Sequence, residues 1–299
     1  MTTFIQLLFG GLAQGCDFAL IALGFTIIFK ASEVINFAQG EFLLLGAFVV
    51  SIAMFSWHLN FVFALVFGAA LTAALGIVFQ RYALRRMIGQ PPFAIIMVTI
   101  GLNVVLLTIV TIALGAKFPR SPAPFGFSAH FTVGGISLPY NQLATIAATL
   151  IICAALYGFF RYTRYGLAMR ATAIDQEAAL AVGIQISRVH ALAWAISGAV
   201  ATIGGIFLAS NNPTFDVSLG NAALVAFPAI ILGGLDSILG AVVGGVAIGI
   251  IYEMAQGYSV HLTKTLGIGF YVIVPYLVMI LVLLIRPYGL FGTRKVERV

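Results

Sequence analysis

Residues 42–80 read FLLLGAFVVSIAMFSWHLNFVFALVFGAALTAALGIVFQ, and none of them is charged. One crossing of a ~30 Å hydrocarbon layer takes about 20 residues of helix, so this stretch is too long for a single span. The polar patch Trp57-His-Leu-Asn60 is the natural place for the chain to turn, which makes two apolar helices joined by a tight hinge. The same texture recurs along the chain. It is found at residues 4–29 (interrupted only by Asp17), 87–116, 141–160, 189–210, 221–235, 238–252 and 265–285. Hydrophobic residues make up 62% of the 299, charged residues 8%, and the mean hydropathy is +1.11. A soluble domain is about a quarter charged. The chain is therefore expected to be all-α: a polytopic transmembrane helical bundle with about 8–9 membrane segments, some of them re-entrant or broken. It reads as a single domain over 1–299.

The net charge of +6 is sorted by connection rather than spread over one face. Arg81, Arg85 and Arg86 form one group, Arg161, Arg164, Arg170 and Arg188 a second, and Arg286, Arg294, Lys295 and Arg298 a third. The intervening connections carry only Lys117 and Arg120 in one case and Lys264 in the other. By the positive-inside rule the three groups face the cytoplasm. This sorting also excludes a nucleic-acid surface, which would need the cations on one soluble face. Arg188 and Arg286 then lie on the same side, so residues 221–252 must cross twice or dip in and return. The break at Gly233-Gly-Leu-Asp-Ser237 would allow either. Counting back from Arg81 places Lys30 inside and the N-terminus outside, unless residues 33–40 are themselves re-entrant. No cation precedes Lys30, so residues 4–29 lack the charged start of a secretory signal and are expected to remain as a mature helix. The external loop 117–140 contains Pro119, Pro122, Pro124 and Pro139 and is expected to form an ordered cap over the outer mouth.

No constellation for catalysis is present. The sequence holds no Gly-x-x-x-x-Gly-Lys-Ser/Thr phosphate loop and no His-Glu-x-x-His, and His58, His130, His190 and His261 are scattered near segment ends. Cys16 and Cys153 both lie within apolar runs, and two isolated thiols make neither a disulfide framework nor a metal site. Small-residue pairs four apart (Gly11 and Gly15, Gly240 and Gly244, Gly245 and Gly249) suit close helix crossings in lipid. The polar residues inside the apolar runs are the candidates for a translocation path: Asp17, Asn36, Gln39, Glu41, Thr99, Asn103 and Asp236. A carboxyl at the bilayer centre costs about 3 kcal/mol or more, so Asp17 faces protein or water. It either lines the path or pairs with a neighbouring helix. Glu41 and Asp236 precede apolar helices and can serve as helix caps, or as parts of two matching breaks around a path. Thr99 and Asn103 share a helix face and can bond a neighbouring helix or face the lumen.

One segment breaks the apolar series. Residues 162–188 turn polar, and within them 172–182 is Ala- and Glu-rich and reads as a short cytoplasmic helix, with Asp175 and Glu177 near its start and Gly183 at its end. Its run Glu177-Ala-Ala-x-x-x-Gly183 resembles the Glu-Ala-Ala loop of ABC importer permeases. The Leu-Pro that follows the glycine in other importer classes is absent here. Three further runs, Val34-Ile-Asn-Phe-Ala-Gln-Gly-Glu41, Ile231-Leu-Gly-Gly-Leu-Asp-Ser-Ile-Leu-Gly-Ala241 and Arg286-Pro-Tyr-Gly-Leu-Phe-Gly292, are similar to the permeases of branched-chain amino acid importers. The resemblance covers essentially the whole chain and is nearest to the first of that system's two permease types. It implies an ABC importer permease fold, with the cytoplasmic segment 161–188 coupling to ATPases through Asp175, Glu177, Ala178, Ala179 and Gly183, and a cytoplasmic tail at 286–299. The implied partners are a second related permease, two cytoplasmic ATPase subunits that hold ATP and magnesium, and an external binding protein. No cofactor is expected on this chain, and the location implied is the bacterial inner membrane. The implied cargo is branched-chain or related amino acids, with urea or short amides as the alternative. A different class, an ATP-independent channel or secondary carrier gated by Asp17, is the remaining alternative.

Overall fold

A computed structural model describes residues 2–87, 90–114, 119–126, 129–133, 136–266 and 269–292. Lys117, Arg294, Lys295 and Arg298, and the side chains of His261 and Lys264, lie outside the described residues. The helices are α1 (Thr2–Ser32), α2 (Gln39–Phe55), α3 (Phe61–Tyr82), α4 (Pro92–Leu114), α5 (Tyr140–Tyr162), α6 (Arg164–Ile174) and α7 (Gln176–Ala181). They continue as α8 (Ile186–Ala209), α9 (Ala222–Val225), α10 (Phe227–Gly233), α11 (Ile238–Leu266) and α12 (Phe270–Ile285). Among the described residues, α1, α3, α4, α5, α8 and α11 are long and apolar enough to cross a membrane, and α2, 217–233 and α12 are shorter apolar segments.

The hinge within 42–80 falls where the sequence puts it. α2 ends at Phe55, His58 takes a positive φ of 54°, and the Asn60 side chain caps α3 by accepting from the Val62 N–H at 3.0 Å. α1 and α8 form the buried centre, with Phe18, Leu20, Leu23, Phe42 and Trp194 in one continuous cluster. α3, α4 and α5 instead turn large apolar side chains outward, among them Phe63, Val66, Ile109, Ile112, Leu150 and Ile151. That combination of a packed centre and an apolar exterior is what a multi-pass membrane protein requires.

α1 and α11 cross closely because glycines meet at the contact. A Cβ at Gly15 would fall 2.6 Å from the Val246 Cα, and one at Gly245 would fall 2.5 Å from the Ala19 Cα. The pairs Gly11/Gly15 and Gly245/Gly249 thus belong to one crossing.

The two ends of the bundle separate the connections. At one end Arg120 bridges to Thr214, the Ser51 hydroxyl donates to the Arg120 carbonyl at 2.7 Å, and the Ser121 N–H donates to the Pro213 carbonyl at 3.0 Å. At the other, Lys30 Nζ donates to the Asp236 carbonyl at 3.2 Å, and one cavity gathers Lys30, Arg170, Asp236 and Pro287. Residues 217–233 connect these ends, since Thr214 lies at the first and Asp236 at the second. The region 221–252 therefore crosses twice, first as the broken run ending in α10 and then as the start of α11. At the α10–α11 break Gly234 has φ +102°, and the cap of α11 is Ser237, whose hydroxyl accepts from the Gly240 N–H at 3.0 Å. The hydroxyl of Ser237, next to Asp236, thus caps the start of α11.

Two further expectations change. The loop between α4 and α5, expected to be external, carries a two-stranded antiparallel pair, β1 (His130–Val133) with β2 (Ile136–Pro139), a small addition to an otherwise helical fold. The cytoplasmic helix expected over 172–182 is two helices, because Asp175 leaves the helical region (φ −155°, ψ 112°) and its carboxylate caps α7 by accepting from the Ala178 N–H at 2.9 Å.

Candidate functional site

Five of the seven candidate path residues meet at one place. After α1 ends at Ser32 the chain folds back into the bundle, and the Ser197 hydroxyl on α8 lies within hydrogen-bond distance of both the Gly24 carbonyl (2.8 Å) and Gln39 Oε1 (2.9 Å). Gly24 is eight residues short of Ser32, about 12 Å along the helix at 1.5 Å per residue, so residues 33–38 are re-entrant and α2 starts at depth. Non-helical backbone there must find partners within the protein, and it does. Asn36 forms an Asx turn, its Oδ1 accepting from the Ala38 N–H at 3.0 Å, while its Nδ2 donates to Gln39 Oε1 at 3.2 Å. From α4, Thr99 Oγ1 accepts from the Phe37 N–H at 3.2 Å, and Asn103 Nδ2 lies 3.3 Å from the Phe37 carbonyl and 3.2 Å from Glu41 Oε1.

The i, i+4 pair Thr99/Asn103 thus receives the re-entrant backbone. Glu41 sits in the first turn of α2, buried, with Oε1 held by Asn103 and Oε2 without a hydrogen-bond partner among the described residues. Gly220, in the 3-10 turn of the broken segment 217–233, lies against the Glu41 carboxylate: a Cβ there would fall 2.9 Å from Oε1. The two breaks of the chain therefore touch, with an acid of one facing the backbone of the other. Sequence reading missed Ser197, and also the buried Thr72–Thr202 hydroxyl pair (2.7 Å) that ties α3 to α8 through the Gly198 carbonyl. A Ser-Gly pair and a threonine in an apolar helix were the available signals.

Asp17 and Asp236 stand apart from this network. Asp17 is 1% exposed, and its Oδ2 accepts from Asn211 Nδ2 (3.3 Å) just past the end of α8. Asp236 lies beside Lys30 at the opposite end.

In the polar segment 162–188 Glu177 and Ala178 are exposed, and Gly183 closes α7 with φ +86°. Of the two alanines expected among the coupling residues, Ala178 is at the surface, whereas Ala179 is only 3% exposed, its carbonyl accepting from the Ile184 N–H at 3.0 Å, and packs inward. The apolar surface this segment does offer comes from Ile174 (87% exposed), Leu180 (56%) and Val182 (77%).

A buried re-entrant polar junction with a second broken segment against it is the arrangement of interrupted helices that membrane transporters place around a path. Residues 7–283 match the family model described as the branched-chain amino acid transport system / permease component, and the chain belongs to that family. The high-affinity branched-chain amino acid transport system permease protein LivH of Salmonella typhimurium is 31% identical over 311 residues, covering 99% of this chain and 98% of the relative. The corresponding BraD protein of Pseudomonas aeruginosa is 29% identical over 99% and 98% of the two chains. A probable branched-chain amino acid permease of Methanocaldococcus jannaschii is 28% identical over 93% and 90%. No solved structure matches the chain.

Proposed function

We propose that this chain is the membrane-spanning permease subunit of an ATP-driven importer that carries branched-chain amino acids delivered by an external binding protein. The observation that carries the reading is the match over residues 7–283 to a branched-chain amino acid permease family, on a chain with no phosphate loop of its own. In this reading ATP is hydrolysed on a partner and its energy arrives through a contact. The exposed face of α6–α7 (Ile174, Glu177, Ala178, Leu180, Val182) is the cytoplasmic surface best suited to receive it. It joins α5 and α8, so a push on α6–α7 reaches α8 and, through Ser197, the junction at Gln39 and Gly24. In this mechanism two cytoplasmic ATPases close on ATP, α6–α7 moves with them, and the path switches between outward- and inward-facing states. A second related permease completes the path, and the assembly sits in the bacterial inner membrane.

Co-expression with the candidate ATPases tests the first step. Wild-type chain should co-purify with them in detergent, and Leu180→Asp should reach the membrane at normal levels yet lose the ATPases. Stoichiometric co-purification of Leu180→Asp would contradict the docking surface, and failure of the wild type to bind any P-loop ATPase would contradict the function.

A further inference from the structure

The antiparallel contact between α3 and α8 advances in steps of four residues, and a glycine makes each step close. A Cβ at Gly68 would fall 3.4 Å from the Thr202 Cγ2, and one at Gly198 would fall 2.7 Å from the Thr72 carbonyl oxygen. One at Gly76 would fall 2.6 Å from the Trp194 carbonyl oxygen. The partners are therefore 68 with 202, 72 with 198 and 76 with 194. Four residues on in α3 and four back in α8, the next step sets Gln80 against His190. Here the close packing stops. A cavity of about 240 Å³ opens, and Gln80 and His190 line it together with Ser32, Val34, Ile95 and Gln176.

Gln80 is 2% exposed, and its Nε2 and the buried His190 Nε2 have no hydrogen-bond partner among the described residues. The two atoms are complementary, since a carboxamide N–H donates and an imidazole nitrogen accepts in one of its tautomers. Buried polar groups are as a rule paired, and here the partner that each lacks stands across the hollow. We infer that Gln80 and His190 are the closing pair of the α3–α8 seam, apart in the arrangement seen here and hydrogen-bonded in a second arrangement that fills the cavity. The walls hold the means of closing it. Gln176 opens α7, and residues 182–185 join α7 to α8, in whose second turn His190 lies. A movement of α7 thus carries the start of α8 toward α3. The seam from Gly76 to Gly68 is too tight to slide and acts as the hinge. Ser197, two turns further along α8, meets Gln39 and the Gly24 carbonyl, so closure at His190 is felt at the re-entrant junction. An equilibrium between two arrangements shifts toward whichever is bound better, and ATPases closed on ATP would act on it through α7. That last step rests on the importer reading given above; the pairing of Gln80 with His190 does not.

The pairing is tested on the full-length chain alone in lipid nanodiscs, with Cys16 and Cys153 replaced by alanine. Gln80→Cys with His190→Cys should form a disulfide on mild oxidation. Gln80→Cys with Arg188→Cys, two residues away and on the other side of α8, should not. No bond in the first pair, or an equal yield in the second, would overturn the pairing. In the assembled transporter the first bond should form several-fold faster with the ATPases held closed by ATP and vanadate than without nucleotide. Equal rates, or faster bonding without nucleotide, would overturn the closure. Gln80→Met keeps the length of the side chain and removes its donor, which covers the case in which the paired cysteines fold poorly. Its ATP-dependent uptake should fall several-fold, while the chain still inserts and co-purifies with the ATPases. Undiminished uptake in Gln80→Met would overturn the closing pair. A wild-type transporter without ATP-dependent uptake would contradict the importer reading, and the crosslink in the chain alone would still decide the pairing.

Discussion

At the scale of residues, the junction at Asn36–Glu41 is held by donors whose identity matters. Asn103 gives its amide hydrogens to Phe37 O and Glu41 Oε1, while a carboxylate in its place has none to give. Asn103→Asp sets two carboxylates face to face in a buried site and orphans the Phe37 carbonyl, each unmet group costing about 1–3 kcal/mol. The variant should show a lowered unfolding temperature and little uptake. Combining it with Glu41→Gln moves the donor to the other partner and should recover a substantial part of both; no recovery would contradict the direct 3.2 Å contact. Gly183 offers a second test, because φ +86° is a left-handed conformation that side chains resist. No atom stands near its Cβ direction, so Gly183→Val acts on the backbone alone, at about 1–2 kcal/mol. It should fray the end of α7 and weaken ATPase co-purification, while membrane insertion stays normal.

At the scale of elements, the close crossing of α1 and α11 depends on glycine. Gly15→Leu would drive a side chain into Val246 backbone at a site where Cβ alone would come within 2.6 Å. Overpacking of that kind costs about 1–3 kcal/mol and often more, so the variant should be degraded or unfold readily in detergent. Normal yield would contradict the crossing. The spans were legible in the sequence because charge-free runs are a direct consequence of burial in lipid; glycines four apart signalled close helix crossings but not that α1 meets α11. The cytoplasmic helix pair was not legible. Ala favours helix across much of 164–182, and the break comes from a local competition that propensity does not show, the Asp175 carboxylate capping α7 at the Ala178 N–H. The network partners of Gln39 were also hidden. Ser197 is 158 residues away in sequence, and nothing in an apolar helix says which serine faces a neighbour's break. Thr99 and Asn103 could be placed on one face but not assigned to a partner for the same reason.

At the scale of the whole molecule, Lys30 and Arg170 lie at one end of the bundle and the proline-rich loop with Arg120 at the other, and the proposed topology, with the first end facing the cytoplasm, can be checked by labelling. Cysteines introduced at Ala173 and Arg85 should react only with cytoplasmic reagent, and one at Ala123 only from outside. Outside labelling at Ala173 would reverse the bundle and remove the coupling surface with it. The broken crossings 33–41 and 217–237 meet where Glu41 faces Gly220, so a shift of one is felt by the other. That contact is where the proposed importer would change state. The central claim, that this chain converts ATP hydrolysis on partner subunits into amino acid import, is tested most directly by reconstituting it with its candidate second permease and ATPases in proteoliposomes. L-leucine uptake would then be measured with the binding protein outside and ATP inside. The account predicts uptake that needs both ATP and the binding protein and is lost in Leu180→Asp. Leucine uptake by this chain alone, driven by an ion gradient and indifferent to ATP, would contradict it.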